Sequence, residues 1–285
     1  MILITSVETL RSVVSAARAL GHRIGFVPTM GYLHEGHLFL LDEARARSDF
    51  VVLSVFVNPL QFGPAEDLAG YPRDIERDTR LAAERGADVL FVPSVEDMYP
   101  NGDPAVHVSA PRLADRLCGA FRPGHFQGVL TVVTKLLNIV APDLAVFGRK
   151  DFQQYALVRR MAADLNLPIQ IVAAPIVRDP DGLALSSRNV YLSPEERHDA
   201  LLLSRALAEA QRAFMLGNDD AAELVTLARD VLSRGTLVRV QYLDLVDPDT
   251  LDPVLKARAG DVLTVAAFVG STRLIDNQTL THNAT

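Results

Sequence analysis

Eight consecutive residues, Phe50-Val51-Val52-Leu53-Ser54-Val55-Phe56-Val57, are β-branched, aromatic or otherwise apolar with a single interruption. A strand with one wet face alternates apolar and polar side chains. An unbroken run therefore belongs to a strand covered on both faces, as in a parallel sheet. Shorter runs at 24–27, 89–92, 144–147 and 169–173 repeat the signature. Between them lie segments of helical spacing at 6–20, 38–47, 74–86, 127–140 and 151–165, with Ser6 as a good N-cap and Gly21 and Gly86 as natural stops. Strands alternating with helices of this length imply right-handed βαβ units and an α/β fold, a Rossmann-like doubly wound parallel sheet.

The pattern changes after about residue 176. Two helical segments, 194–216 and 219–234, precede strands near 237–246, 261–269 and 272–279, the last two separated by Gly270-Ser271 at hairpin spacing. The expected organisation is a Rossmann-like domain at 1–176 and a smaller α+β domain at 177–285, with Pro180-Asp181-Gly182 as the hinge.

Composition narrows the class. Hydrophobic content of 49% and charged content of 22% are those of a globular protein. A net charge of −7 argues against a nucleic-acid-binding surface. No apolar run reaches the ~20 residues a bilayer demands, and no basic-then-apolar leader opens the chain, so a cytoplasmic protein with no membrane partner is expected. Cys118 is the single cysteine, which suits a reducing compartment and a packed thiol. Only Lys135, Lys150 and Lys256 are lysines among 28 basic residues. Arginine cannot imitate a compact ammonium, so each of the three deserves a question.

In parallel sheets ligands sit beyond the carboxyl ends of the strands, and the unusual polar clusters fall in those loops. The first is Met30-Gly31-Tyr32-Leu33-His34-Glu35-Gly36-His37. It reads as a strand-to-helix turn whose first helical amides and two imidazoles attract phosphate, or as a turn carrying two surface histidines. Gly148-Arg149-Lys150-Asp151 opens another helix, with Asp151 as its cap and Lys150 as a counter-charge for phosphate. It also suits an ordinary loop with a solvated lysine. Leu185-Ser186-Ser187-Arg188 offers hydroxyls and a guanidinium for an oxyanion, or a polar linker. Gln61 and Gln154 suit a substrate with hydroxyls, or the surface. The i, i+3 histidines lack metalloprotease spacing, and no P-loop, dinucleotide fingerprint or nucleophile elbow occurs, so no metal held by protein side chains is expected. His22, His107 and His198 have no motif context and read as surface residues.

A His-x-x-His loop after the first strand with a later Ser-Ser-Arg loop resembles the HIGH nucleotidyltransferase superfamily. Within it, Pro28-Thr29-Met30-Gly31, Leu33 to His37, Phe56-Val57-Asn58-Pro59-Leu60-Gln61-Phe62, Tyr71-Pro72-Arg73, Leu117-Cys118-Gly119, Phe121 to Phe126, Gly128-Val129, Lys150 to Gln154 and Ser186 to Asn189 are similar to the pantoate–β-alanine ligase family. The series runs in order from about residue 2 to beyond residue 270.

That resemblance implies AMP-forming ligation of pantoate and β-alanine through a pantoyl adenylate, with ATP and Mg²⁺, in a cytoplasmic homodimer. It implies that Met30, Gly31, Tyr32, Leu33, His34, Glu35, Gly36 and His37 form an ATP loop. Gly148, Arg149, Lys150, Asp151, Val177, Leu185, Ser186, Ser187 and Arg188 complete the nucleotide site. His37, His34, Lys150 and Arg188 carry the catalysis, with His37 as proton donor. Gln61 and Gln154 hold pantoate, and Gln61 also meets β-alanine; residues 177–285 act as a lid. Three positions depart from the family's usual residues: Arg149 where Glu is usual, Leu185 where Met is usual, and Tyr32 where a smaller side chain is common. The rival readings are another HIGH-type nucleotidyltransferase, which releases pyrophosphate and stops, and an inactive nucleotide-binding protein.

Overall fold

The computed structural model describes residues 1–63 and 68–282, and these divide into two compact units. Unit 1 comprises residues 1–63, 68–115, 119–149 and 157–175; unit 2 comprises 116–118, 150–156 and 176–282. In chain order the elements are β1 (Ile2–Ile4), α1 (Val7–Ala19), β2 (Ile24–Thr29), α2 (Glu35–Arg45), β3 (Phe50–Val55), α3 (Ile75–Glu84) and β4 (Val89–Phe91). Short helices α4 (Val95–Met98), α5 (Pro111–Ala114) and α6 (Leu117–Phe121) follow, then α7 (His125–Val140), β5 (Leu144–Gly148), α8 (Phe152–Asp164) and β6 (Gln170–Ala174). The remainder is α9 (Pro194–Met215), α10 (Ala221–Leu232), β7 (Val238–Val246), β8 (Val262–Val269) and β9 (Thr272–Thr279).

Unit 1 is built on a six-stranded sheet in the order β1-β4-β3-β2-β5-β6, with every neighbouring pair parallel. Both faces are covered, which is why its strands read as unbroken apolar runs. Val27, Leu53, Leu90 and Val146 pack with Leu38, Leu41 and Ala44 of α2 and Ala82 of α3. The intervening Phe26 is fully buried, and α1 and α7 touch each other and β2. The chain runs outward through β2, β3 and β4 in one direction and through β5 and β6 in the other. The order thus reverses between β2 and β5, where the loops after these strands part and leave the crevice that such sheets use for ligands.

The sequence expectations differ from the structure at particular ends. β1, not anticipated, is a three-residue edge strand whose Ile2 and Leu3 are half exposed, too short to carry a period. β3 stops at Val55 because the chain turns into a 3₁₀ turn at Pro59–Gln61 capped by Asn58. α2 starts at Glu35, before the expected 38, because its cap is a histidine rather than a hydroxyl or carboxylate side chain.

Unit 2 holds the antiparallel sheet β7-β8-β9. The two-residue Gly270-Ser271 turn closes the β8–β9 hairpin at the pair Val269 and Thr272. Leu203, Leu207 and Phe214 of α9 and Leu224 and Leu232 of α10 share a core with Leu243, Leu245, Val265 and Leu274 of the sheet. α9 begins with a reciprocal cap between Ser193 and Glu196 and with Pro194 in its first turn. The Pro180-Asp181-Gly182 segment, expected as a hinge, is the tip of a small hairpin. Asp179 N–H donates to Leu183 O at 2.8 Å, Leu185 N–H donates to Val177 O at 3.0 Å, and Arg197 bonds both Asp179 and Asp181.

Candidate active site

In unit 1 the loop after β2 is shaped by two consecutive left-handed residues, Gly31 at φ 83° and Tyr32 at φ 52°. A Cβ on residue 31 would lie 2.7 Å from Val55 Cγ1 and 2.9 Å from an Asp78 oxygen, so both space and φ demand glycine there. Tyr32 has no such freedom and is held in place. Asp78 on α3, 1% exposed, accepts Tyr32 N–H at 2.8 Å through Oδ2 and Leu33 N–H at 2.7 Å through Oδ1. The Arg77 guanidinium lies over the Tyr32 ring, 5.3 Å from its centre. Burial pushes the Asp78 carboxyl up from its ordinary value, against the downward pull of the two amides and Arg77. Met30, Gly31 and Tyr32 line a cavity of about 270 Å³ with Arg73, Ile75 and Ser94; the histidines and Gln61 are not part of it.

His34 is the N-cap of α2, and His37 its third residue. His34 Nδ1 accepts Gly36 N–H at 3.1 Å, and His37 Nδ1 accepts His34 N–H at 3.4 Å. The rings lie 4.0 Å apart, centre to centre. An Nδ1 that accepts leaves the proton on Nε2, so each ring presents an N–H donor at its far end. The Gly36 amide is taken by His34, and the His37 and Leu38 amides donate to His34 O, so the two imidazoles stand beside a helix tip whose amides are partly used. Leu33 is fully buried, and Glu35 turns to Arg85 at 2.7 Å.

Gln61 is not a surface glutamine: it is 8% exposed and lies in a polar network. Asn58 Nδ2 donates to Gln61 Oε1 at 3.1 Å and to Gly128 O at 3.2 Å, while Tyr99 O–H donates to Asn58 Oδ1 at 2.8 Å. Gln61 Nε2 meets Met30 Sδ at 3.3 Å. The Gln61 carbonyl accepts from His125 Nδ1 at 2.8 Å, and His125 Nε2 faces Arg122 at 3.0 Å. Gly128 permits the approach, since a Cβ there would lie 2.2 Å from Leu60 O. At the neighbouring edge Gly148 ends β5, and Arg149 N–H donates to Ala174 O at 2.9 Å, extending the ladder to β6.

In unit 2, Asp151 caps α8 by accepting Gln154 N–H at 3.3 Å, as expected. Gln154 is half-buried, whereas Gln153 is structural, bonded to Cys118 N–H at 3.0 Å and Arg116 O at 2.7 Å. Lys150, Ser186 and Asp276 line one small pocket. Burial pulls the Lys150 ammonium down to about 8; Asp276 and Asp151 oppose that shift, and Arg188 adds to it. Asp276 is gripped by both Arg178 nitrogens at 2.6 and 2.9 Å, and Asn277 Nδ2 donates to Lys150 O at 3.0 Å. Ser186 Oγ accepts Arg188 N–H at 3.2 Å and caps a 3₁₀ turn at Ser187–Tyr191 that leaves Arg188 exposed. Val177 and Leu185 contribute paired backbone. His22, His107 and His198 are exposed, while Cys118 is buried.

Residues 2–279 match the family model described as pantoate-beta-alanine ligase. The chain belongs to the pantoate–β-alanine ligase family. It is accordingly an enzyme of the ligase class. It is similar to pantothenate synthetase 1 of Bradyrhizobium diazoefficiens, 56% identical over 283 residues, 98% of each chain. Among solved structures it resembles pantothenate synthetase of Thermus thermophilus, with a TM-score of 0.92, 48% identity and coverage of 98% of this chain and 99% of that one. A ligase of this family from Francisella tularensis, complexed with beta-gamma ATP and β-alanine, matches with a TM-score of 0.79, 33% identity and coverage of 98% and 97%.

Several residues of this family member escaped the sequence reading. Asp78, Asn58, His125 and Asp276 are buried and touch the candidate residues through hydrogen bonds or charge, and buried Tyr99 bonds Asn58. The only available signal was a polar residue in an apolar helical or strand context, such as Asp78 beside Leu81 and Ala82. Asn58 and His125 lay inside family motifs, but neither was assigned a role.

Proposed function

We propose that the chain joins pantoate to β-alanine in two steps, with residues of both units supplying the charge and orientation. The observation that carries this reading is the pair of histidines at the head of α2, whose Nδ1 atoms both accept backbone N–H groups and whose rings lie 4.0 Å apart, a pairing suited to donating from Nε2 to phosphate oxygens. Pantoate's carboxylate attacks the α-phosphorus of ATP, forming the pantoyl adenylate and releasing pyrophosphate. The β-alanine amine then attacks the acyl carbon and AMP departs. A carboxylate approaching a polyphosphate is repelled, so the site's work is to neutralise and to align.

His34 and His37 donate hydrogen bonds to the phosphates, and the His37 N–H stabilises the charge that develops on the leaving pyrophosphate. Lys150 and Arg188 balance the charge that develops on them. Gln61 and Gln154 hold pantoate, Gln61 also meets β-alanine, and Gly148 to Asp151, Val177 and Leu185 to Arg188 complete the nucleotide contacts. Residues 177–285 serve as the lid that keeps water from the acyl adenylate. Mg²⁺ accompanies ATP. Held chiefly by phosphate oxygens, the ion would neutralise part of their charge. A cytoplasmic homodimer completes the reading; among the described residues no helix is long and apolar enough to cross a membrane.

The test is product identity with two variants. AMP should form only when pantoate and β-alanine are both present. His37→Ala and Lys150→Ala should each slow pyrophosphate release by ~10²-fold. Wild-type pyrophosphate release from both folded variants would refute the assignments. Pyrophosphate formed without AMP when both acceptors are present would favour a nucleotidyltransferase.

A further inference from the structure

The amide of Gln61 has two chemically opposite ends, and the surrounding atoms decide which end faces the substrate. Asn58, 1% exposed, uses its full bonding capacity. Its Nδ2 lies 3.2 Å from Gly128 O, a group that only accepts, and its Oδ1 lies 3.4 Å from Leu60 N–H, a group that only donates. Turning the Asn58 amide over would set oxygen against carbonyl and N–H against N–H, so the backbone allows one orientation. Tyr99 O–H completes the oxygen's bonding at 2.8 Å. Burial raises the Tyr99 hydroxyl pKa well above its ordinary value, so the proton it donates is always present. The second Asn58 N–H then demands an acceptor from Gln61, which fixes Oε1 inward at 3.1 Å. The Gln61 NH₂ is left aimed at Met30 Sδ, 3.3 Å away. A thioether is a weak acceptor, a poor partner for an amide in a residue only 8% exposed.

We infer that Asn58, held by Tyr99 and the Gly128 carbonyl, orients Gln61 so that the substrate pocket receives an N–H₂ donor and never an acceptor. The ligand group at this point is therefore an acceptor oxygen, a carboxylate or the lone pair of a hydroxyl. Asn58 and Tyr99 are positioning residues, and they set polarity rather than shape. The inference rests on the reading that Gln61 touches pantoate.

Steady-state kinetics of the full-length enzyme with Gln61→Ala, Gln61→Glu and Tyr99→Phe separate the two ideas. A glutamate at 61 keeps the size of glutamine and still satisfies Asn58, but it turns an oxygen to the pocket. Gln61→Glu is expected to raise KM for pantoate at least as much as Gln61→Ala, ~10-fold or more, with KM for ATP within threefold of wild type. Tyr99→Phe is expected to raise KM for pantoate ~3–10-fold with the same indifference to ATP, a split that general loosening of the fold does not produce. A Gln61→Glu enzyme with wild-type KM for pantoate, while Gln61→Ala is impaired, overturns the polarity. Unchanged KM in Gln61→Ala removes the pantoate contact itself, and the inference falls with it. If Tyr99→Phe does not fold, the glutamate variant alone decides.

Discussion

Replacing Asp78 with asparagine changes one oxygen of a buried carboxylate into an NH₂ group and alters almost nothing in volume. The two carboxylate oxygens each accept one loop amide, from Tyr32 at 2.8 Å and from Leu33 at 2.7 Å. Asparagine can accept only one of them, and its amide nitrogen must face the other N–H. A hydrogen bond to a charged group contributes about 1.5–3 kcal/mol. Part of that loss is recovered, because burial outweighs the amides in setting the Asp78 pKa, so the buried charge itself carries a cost that asparagine removes. The net destabilisation should be about 1–2 kcal/mol, a fall in melting temperature of about 2–8 °C. The effect on catalysis should be far larger. Tyr32 sits at φ 52°, a conformation costing about 1–2 kcal/mol for a residue with a Cβ. Without its acceptor the loop relaxes toward negative φ and shifts the entry to α2, where His34 and His37 lie. A misplacement of about 1 Å costs ~10²-fold. Calorimetry paired with pyrophosphate release from ATP and pantoate reads both quantities on one preparation. A variant that melts lower yet keeps kcat/KM for ATP within threefold of wild type would show that the histidines take their geometry from the cap alone, and the argument would be refuted.

Three further outcomes follow from the same contacts. The kcat/KM for ATP in adenylate formation should fall about tenfold per pH unit above pH 8, because Lys150 must be an ammonium and loses its proton at about 8; a flat profile to pH 9.5 would contradict this, and Lys150→Arg should abolish the limb. Asp276→Asn removes a negative charge that supports the Lys150 ammonium, so the same limb should move to lower pH. It also strands Arg178, partly exposed against a carboxylate only 3% exposed, at a cost of about 3 kcal/mol by denaturant unfolding. Gly128→Ala forces a Cβ to within 2.2 Å of Leu60 O; it should destabilise by about 1–3 kcal/mol and raise KM for pantoate, and a variant unchanged in both would contradict the packing.

The strands were legible because a parallel sheet covered on both faces leaves an apolar record in every residue. β3 carries five apolar residues among its six, and β2, β4, β5 and β6 carry comparable runs. β1 left no comparable record, being three residues at an edge. The catalytic candidates were legible for a different reason: polar side chains gathered in loops after buried strands have few structural excuses. What could not be read was the direction in which each polar group points. His34 and His37 stand three residues apart in either a phosphate loop or an ordinary turn. Only the acceptance of backbone N–H by both Nδ1 atoms makes the pair two Nε2 donors at one helix tip.

The same reasoning explains why the supporting residues were silent. Asp78 lies 45 residues from the amide of Leu33 that it binds, and Asp276 lies 98 residues from Arg178. No local period links such partners, because each is dictated by where two elements meet in the folded unit. Their chemistry nonetheless controls the site. A carboxylate decides whether Tyr32 stays in the left-handed region, another decides how readily Lys150 keeps its proton, and one buried asparagine decides which end of Gln61 faces outward. The loop residues provide the functional groups, while loop conformation, protonation state and amide direction are fixed one layer further in. Substitution in that inner layer should therefore change pH profiles and substrate KM values while leaving every loop residue in the motifs intact.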